Sequence, residues 1–169
     1  ILTWAFGATR GDVAACLVAK QVNYDGSRST DGSLSFSIDS QANGVALDWC
    51  NTLTTGKETH SSAGSSTSRD DGAGTTAGMV AYLEIIDCDS GTPTVSIQES
   101  SDNGSSDAWV NVLTFSTVGY ASAPTAERVT SAGTVERYLR VTTTGTFSNL
   151  DFCVATRRGT AQDDVNLNA

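Results

Sequence analysis

Apolar and polar residues alternate through most of this chain with a period of two. Val95 and Ile97 alternate with Ser96 and Gln98, and Val110 and Val112 flank Asn111. Leu139 and Val141 alternate with Tyr138 and Arg140, and Leu150, Phe152 and Val154 with Asp151, Cys153 and Ala155. That period turns one face of a strand to a core and the other to water or a partner. Strands are predicted at about 79–87, 93–99, 109–116, 126–130, 135–143 and 147–157. Pro93 and Pro124 fall at strand starts, where a missing N–H does least harm.

The first stretch predicts a smaller antiparallel unit. Leu17–Tyr24 reads as a strand, although Val13 to Ala19 is Ala-rich and Asp12 could cap a helical turn there. Asp25 to Gly32 reads as a polar loop. Leu34, Phe36 and Ile38 then alternate with Ser33, Ser35, Ser37 and Asp39, the clearest strand pattern of all. Asn43-Gly44 predicts a hairpin turn, because both residues tolerate positive φ. It leads to a third strand on which Val45, Leu47 and Trp49 share a face, so a meander with a long first loop is expected. Between Thr54 and Gly78 the composition shifts to Ser, Thr, Gly and Asp, predicting a linker or a polar opening to the next unit.

Together these elements predict an all-β chain, with a small antiparallel β unit over 1–55 and an Ig-like or jelly-roll β-sandwich over 56–159. Residues 160–169 carry no periodicity and are expected to form a flexible tail or arm. Sixteen glycines and two prolines fit turns built on Gly and Asn.

Charge narrows the choice of partner. Nineteen acidic residues outnumber ten basic ones, for a net charge of -9, which disfavours nucleic-acid binding because phosphates are repelled. No apolar run is long enough to cross a bilayer, and no membrane partner is expected. Cys16, Cys50, Cys88 and Cys153 lie far apart without a CxxC pair, so free and mostly buried thiols are expected rather than a zinc site.

Candidate chemistry is sparse, and neither an enzyme nor a cofactor is expected. The only histidine, His60, lies in the Ser/Gly-rich stretch and reads as a loop residue. Asp70 and Asp71 sit in the same stretch with nothing to mark an acid/base pair. Asp102, Asn103 and Asp107 offer oxygen atoms but lack the alternating EF-hand pattern, and a solvated loop is the simpler reading. Arg10-Gly11-Asp12 and the Asn103-Gly104-Ser105 sequon are short enough to occur by chance. Trp4, Trp49, Trp109, Tyr82, Tyr120 and Tyr138 would stack on carbohydrate if exposed together, but the parity of Trp49 and Trp109 with Leu47 and Leu113 assigns both to a core. Arg128, Arg137, Arg140, Arg157 and Arg158 hold half the positive charge and suit either a solvated rim or a contact between subunits.

Two segments carry a resemblance. Gln21–Tyr24, the polar loop, Gly32–Ile38 and Gln41–Gly44 resemble the closing strands of the tube domain in tail proteins of long-tailed bacteriophages. Ala81–Ile85, Val95–Gly104, Trp109, Leu113–Phe115, Ala126–Val129, Gly133–Val141 and the terminal Arg157-Arg158-Gly159 are similar to the β-sandwich that follows it in many of them. The first half of a tube domain has no counterpart here before Ile1. The resemblance implies a tail tube subunit of the virion, made in the bacterial host cytoplasm and assembling into stacked, commonly hexameric rings. DNA would pass through their lumen without sequence-specific binding, and other tail or head proteins would be partners. Asp25, Asp31 and Asp39 are then candidate lumen carboxylates, and Arg28, Arg137, Arg140, Arg157 and Arg158 candidate inter-subunit contacts. A capsid decoration or minor tail protein is the alternative, and a carbohydrate-binding adhesion module the alternative of another class.

Overall fold

The computed structural model describes residues 1–160 and is all-β. Its strands are β1 (Leu2–Ala5), β2 (Val13–Leu17), β3 (Ala19–Arg28), β4 (Leu34–Ala42), β5 (Asp48–Thr52), β6 (Glu58–His60), β7 (Gly64–Ser65), β8 (Arg69–Asp70), β9 (Met79–Gly91), β10 (Thr94–Ser100), β11 (Val110–Thr114), β12 (Thr125–Ser131), β13 (Tyr138–Thr144) and β14 (Phe147–Arg158). A seven-stranded antiparallel sheet runs β1-β2-β5-β14-β9-β12, with β6 also on β14. A five-stranded sheet runs β11-β10-β13-β7, with β8 also on β13, and β3–β4 stand apart as a two-stranded ribbon.

The two larger sheets pack face to face. Leu83, Ile85, Phe152 and Val154 from one meet Ile97, Leu139, Val141 and Leu113 from the other in one continuous core. The reverse face is buried over part of its length, at Val80 and Tyr82 of β9 and Ala155 of β14. There Val80, Tyr82 and Ala155 pack against Ala14, Cys16 and Cys50, so the β1-β2-β5 end of the long sheet curls over the back of β9 and β14. Burial on both faces explains why Met79 to Leu83 is apolar without a break, as in strands with no solvent side.

A polar knot crosses this second core. Tyr82 Oη donates to Asp48 Oδ2 at 2.6 Å, Arg157 Nε donates to Asp48 Oδ1 at 2.9 Å, and Arg128 Nε donates to Tyr82 Oη at 3.1 Å. Asp48 is almost fully buried, and its charge is held by two arginines and a phenol. Burial, with Asp48 next in weight, pushes the Tyr82 phenol well above its usual range.

The sandwich strands lie within a few residues of their predicted positions, while the first unit is connected differently. Asn43-Gly44 does not turn β4 back onto β5. The ribbon strands pair with each other, Ala19 opposite Ala42, and β2 pairs with β5 beneath them, Val13 opposite Asn51. The expected meander is therefore one long hairpin interrupted at its waist. The polar loop at Asp25 is shorter than predicted, because Asp25 to Arg28 belong to β3. Residues 54–78 are ordered by β6 on β14 and by β7 and β8 on β13. Because β5 pairs with β14, residues on either side of Gly56 share one sheet.

All four cysteines are free, three buried and Cys153 half-buried. No helix among the described residues is long and apolar enough to cross a membrane. Beyond Thr160 the expected arm lies outside the described residues.

Candidate assembly site

The ribbon is the least covered part of the molecule, and its register sorts its side chains. Asn23 opposes Asp39, Asp25 opposes Ser37, and Ser27 opposes Ser35, which places these six on one face. Ser27 Oγ and Ser35 Oγ lie 2.9 Å apart, and Asn23 Nδ2 donates to Asp39 Oδ2 at 3.4 Å. Tyr24 opposes Ile38 and Arg28 opposes Leu34 on the other face. Leu34 and Ile38 are 59% and 58% exposed, so this apolar face is uncovered. A two-stranded ribbon with an open edge on each strand is marginal in isolation.

Asp31 caps the ribbon's tip. Its carboxylate accepts from Ser29 Oγ and, at 2.9 Å, from the Ser33 amide. Those bonds hold it down at about 2, so the tip stays charged at any ordinary pH. The three candidate lumen carboxylates thus share one structure, with Asp25 and Asp39 on its polar face and Asp31 at its end.

A second uncovered apolar surface lies at the ribbon's base. Trp4, Ala15 and Trp49 stand side by side across β1, β2 and β5, on the face turned away from Cys16 and Cys50. Trp4 is 66% and Trp49 57% exposed, and Phe6 sits 6.1 Å from the Trp49 ring at an interplanar angle of 30°. Leu2, Val13 and Leu47 are exposed beside them. The parity that assigned Trp49 to a core correctly placed it with Leu47, but among the described residues that face is exposed. Parity fixes which side chains share a face and is silent on what lies opposite.

The remaining arginine candidates are held within the chain. Arg137 makes a bidentate pair with Asp70, both bonds 2.7 Å, and lies 4.9 Å over the Tyr138 ring. Arg140 donates twice to Gln98 Oε1 and lies 4.3 Å over Trp109. Arg158 donates to Asp71 and to the carbonyls of Val135, Glu136 and Arg137, and Arg157 belongs to the Asp48 knot. Arg28, on the ribbon's apolar face, is exposed. Among the other aromatic candidates, Tyr82 is buried, Tyr120 is exposed, and Trp109 and Tyr138 are half-buried beneath the guanidinium groups.

Sequence reasoning missed Arg69. It is 9% exposed, donates to Asp71, to the Thr156 hydroxyl and to the carbonyls of Asn51 and Thr52, and so ties β8 to β5 and β14. Burial works against ionisation of Asp71, but the hydrogen bonds and charges of Arg69 and Arg158 outweigh it and hold the carboxyl below its usual range.

His60 is a strand residue rather than a loop one. It stacks edge-on at 5.0 Å against Phe152, with Nδ1 2.8 Å from Thr143 Oγ1. Its Nε2 lies 3.3 Å from Ser66 Oγ and 3.4 Å from Glu58. Glu58 and the Ser66 hydroxyl meet one ring nitrogen and the Thr143 hydroxyl the other. Thr143 is almost fully buried, and its Oγ1 also accepts from the Gly64 amide and donates to the Gly64 carbonyl. In the loop after β10, the Asp102 carboxylate accepts the amides of Ser105, Ser106 and Asp107, so the loop's own backbone occupies it. Among the described residues, no group of three or more His, Cys, Asp or Glu could hold a metal ion.

No family model matches the chain, and no curated protein matches it.

Proposed function

We propose that this chain is a structural virion protein of a bacteriophage, a tail tube subunit that assembles into stacked, hexameric rings around a DNA-conducting lumen. The observation that carries the reading is the two-faced ribbon. One face and the tip bear Asp25, Asp39 and Asp31, while the other bears exposed Leu34 and Ile38. An apolar face seated on a neighbour would leave the carboxylates pointing away from that contact, and a carboxylate-lined passage repels phosphates and lets a duplex slide. A capsid decoration or minor tail protein built on the same modules would use the ribbon in the same way without forming a tube.

Negative-stain microscopy of the purified chain tests this reading, with rings or tubes that have a central hole as the expected result. The triple change Asp25→Asn, Asp31→Asn, Asp39→Asn is expected to leave the rings intact and to increase DNA retention. A chain that stays monomeric at every concentration overturns the tube.

One observation favours a reading of another class, a carbohydrate-binding adhesion module. Trp4, Phe6 and Trp49 form an exposed aromatic row of the kind on which sugar rings stack. Saturable quenching of tryptophan fluorescence by oligosaccharides, lost in Trp49→Ala, would support the module.

A further inference from the structure

We propose that the ribbon of one copy lies, apolar face down, on the β1-β2-β5 face of a second copy, an inference that rests on the self-assembly reading above. The chain carries two uncovered apolar surfaces of different kinds. One is a narrow projection bearing Leu34 and Ile38; the other is a sheet face bearing Leu2, Trp4, Phe6, Val13, Leu47 and Trp49. Both are exposed in the same molecule, so the ribbon does not cover its own base.

Charge selects the pairing. Two copies at a net charge of -9 each repel one another, so surfaces without carboxylates are the favoured ones for a contact between them. The sheet face has no charged side chain among its exposed residues. The only charge on the ribbon's apolar face is the cation Arg28, opposite Leu34, and a guanidinium is attracted to an indole face such as those of Trp4 and Trp49. Pairing the ribbon by its other face would press Asp25 and Asp39 onto apolar rings and leave both carboxylates desolvated.

The contact is head to tail. Each copy gives a ribbon and receives one, using two different patches, and such contacts close into a ring or run on as a filament. Length permits it: ten residues of strand span about 33 Å, enough to leave one subunit and cross the face of the next.

The test places a photo-crosslinker in the ribbon, Ile38→p-benzoylphenylalanine, in the full chain, with ¹⁴N- and ¹⁵N-labelled copies mixed before irradiation. The expected result is cross-linked peptides of mixed isotope that join position 38 to residues within 1–17 or 45–52. Trp4→Ser with Trp49→Ser should lower their yield at sub-saturating concentration by at least about tenfold, the scale for truncating buried interface tryptophans. Both tryptophans are exposed, so circular dichroism and thermal melting should stay unchanged. Mixed-isotope cross-links from position 38 to another ribbon, or to the β10–β13 sheet, would overturn this docking and leave self-assembly standing. If only single-isotope products form and the chain is monomeric, the docking and the tube reading fall together.

Discussion

The ribbon and the β9–β14 pair show the same period-two pattern and have opposite fates. Leu150, Phe152 and Val154 alternate as cleanly as Leu34 and Ile38, yet the first three are almost wholly buried and the other two more than half exposed. The difference lies in the neighbours. β14 pairs along nearly its full length with β9, packs one face on the second sheet, and has Ala155 on its other face covered by the curl of β2 and β5. Each ribbon strand pairs only with the other among the described strands, and Leu34 and Ile38 stay exposed. A strand pattern therefore states that a face is to be covered without stating that the same chain covers it. Where it does not, as at Leu34 and Ile38, the face is left exposed, and that is the face the proposed assembly would use.

Substitutions on the two sides separate them. Phe152→Ala in the core should cost about 3–5 kcal/mol, the usual range for emptying a buried aromatic site, and lower the melting temperature accordingly. Leu34→Ser with Ile38→Ser should change the stability of the monomer by no more than about 0.5 kcal/mol while abolishing assembly. Equal thermal losses in the two variants would mean that the ribbon is part of the core after all.

Asp71→Ala comes next. It removes the carboxylate between Arg69 and Arg158 and leaves a buried guanidinium with less than its full set of partners. Losses of about 3 kcal/mol are expected from breaking a buried pair, read by urea unfolding. The ribbon, remote from this pair, should assemble normally below the new melting point.

Acid should also act on the sandwich. Burial raises the Glu58 carboxyl, but hydrogen bonds from His60 and Ser66 and the charge of Arg10 outweigh it and hold the group at about 2. Asp71 is depressed in the same sense. A carboxyl depressed on folding contributes stability that is complete above its unfolded value and is lost as pH falls through its folded one. Melting temperature should therefore decline from about pH 4.5 towards pH 2, and Asp71→Ala should flatten part of that decline. The smallest effect has the opposite sign. Burial, then the Asp107 carboxylate and its charge, with Glu99 and Asp102 behind it, push Glu136 up. Glu136→Gln relieves that repulsion and should raise the melting temperature slightly at neutral pH.

The sequence made the sandwich strands legible, because each has a buried face and turn residues at its ends. It did not reveal that β2 pairs with β5, since Val13 and Asn51 are brought together only by the excursion of the ribbon between them. Asn43-Gly44 has the composition of a hairpin turn, but Gly44 takes its positive φ in a connection whose strands pair elsewhere. The short strands β6 to β8 have no apolar signal. They are held by Arg69 and by backbone bonds to β13 and β14, which composition does not show. The candidate carboxylates were legible as acidic residues near a strand. Their separation from Leu34 and Ile38 onto the opposite face required the register at Asn23–Asp39.

Hydrogen exchange of the full chain, followed by mass spectrometry over a series of protein concentrations, tests the central claim most directly. Amides in residues 19–42 should exchange freely in dilute solution and become protected as concentration rises, while those of β9 and β14 stay protected throughout. Ribbon exchange that is the same at every concentration would contradict the assembly role assigned to it.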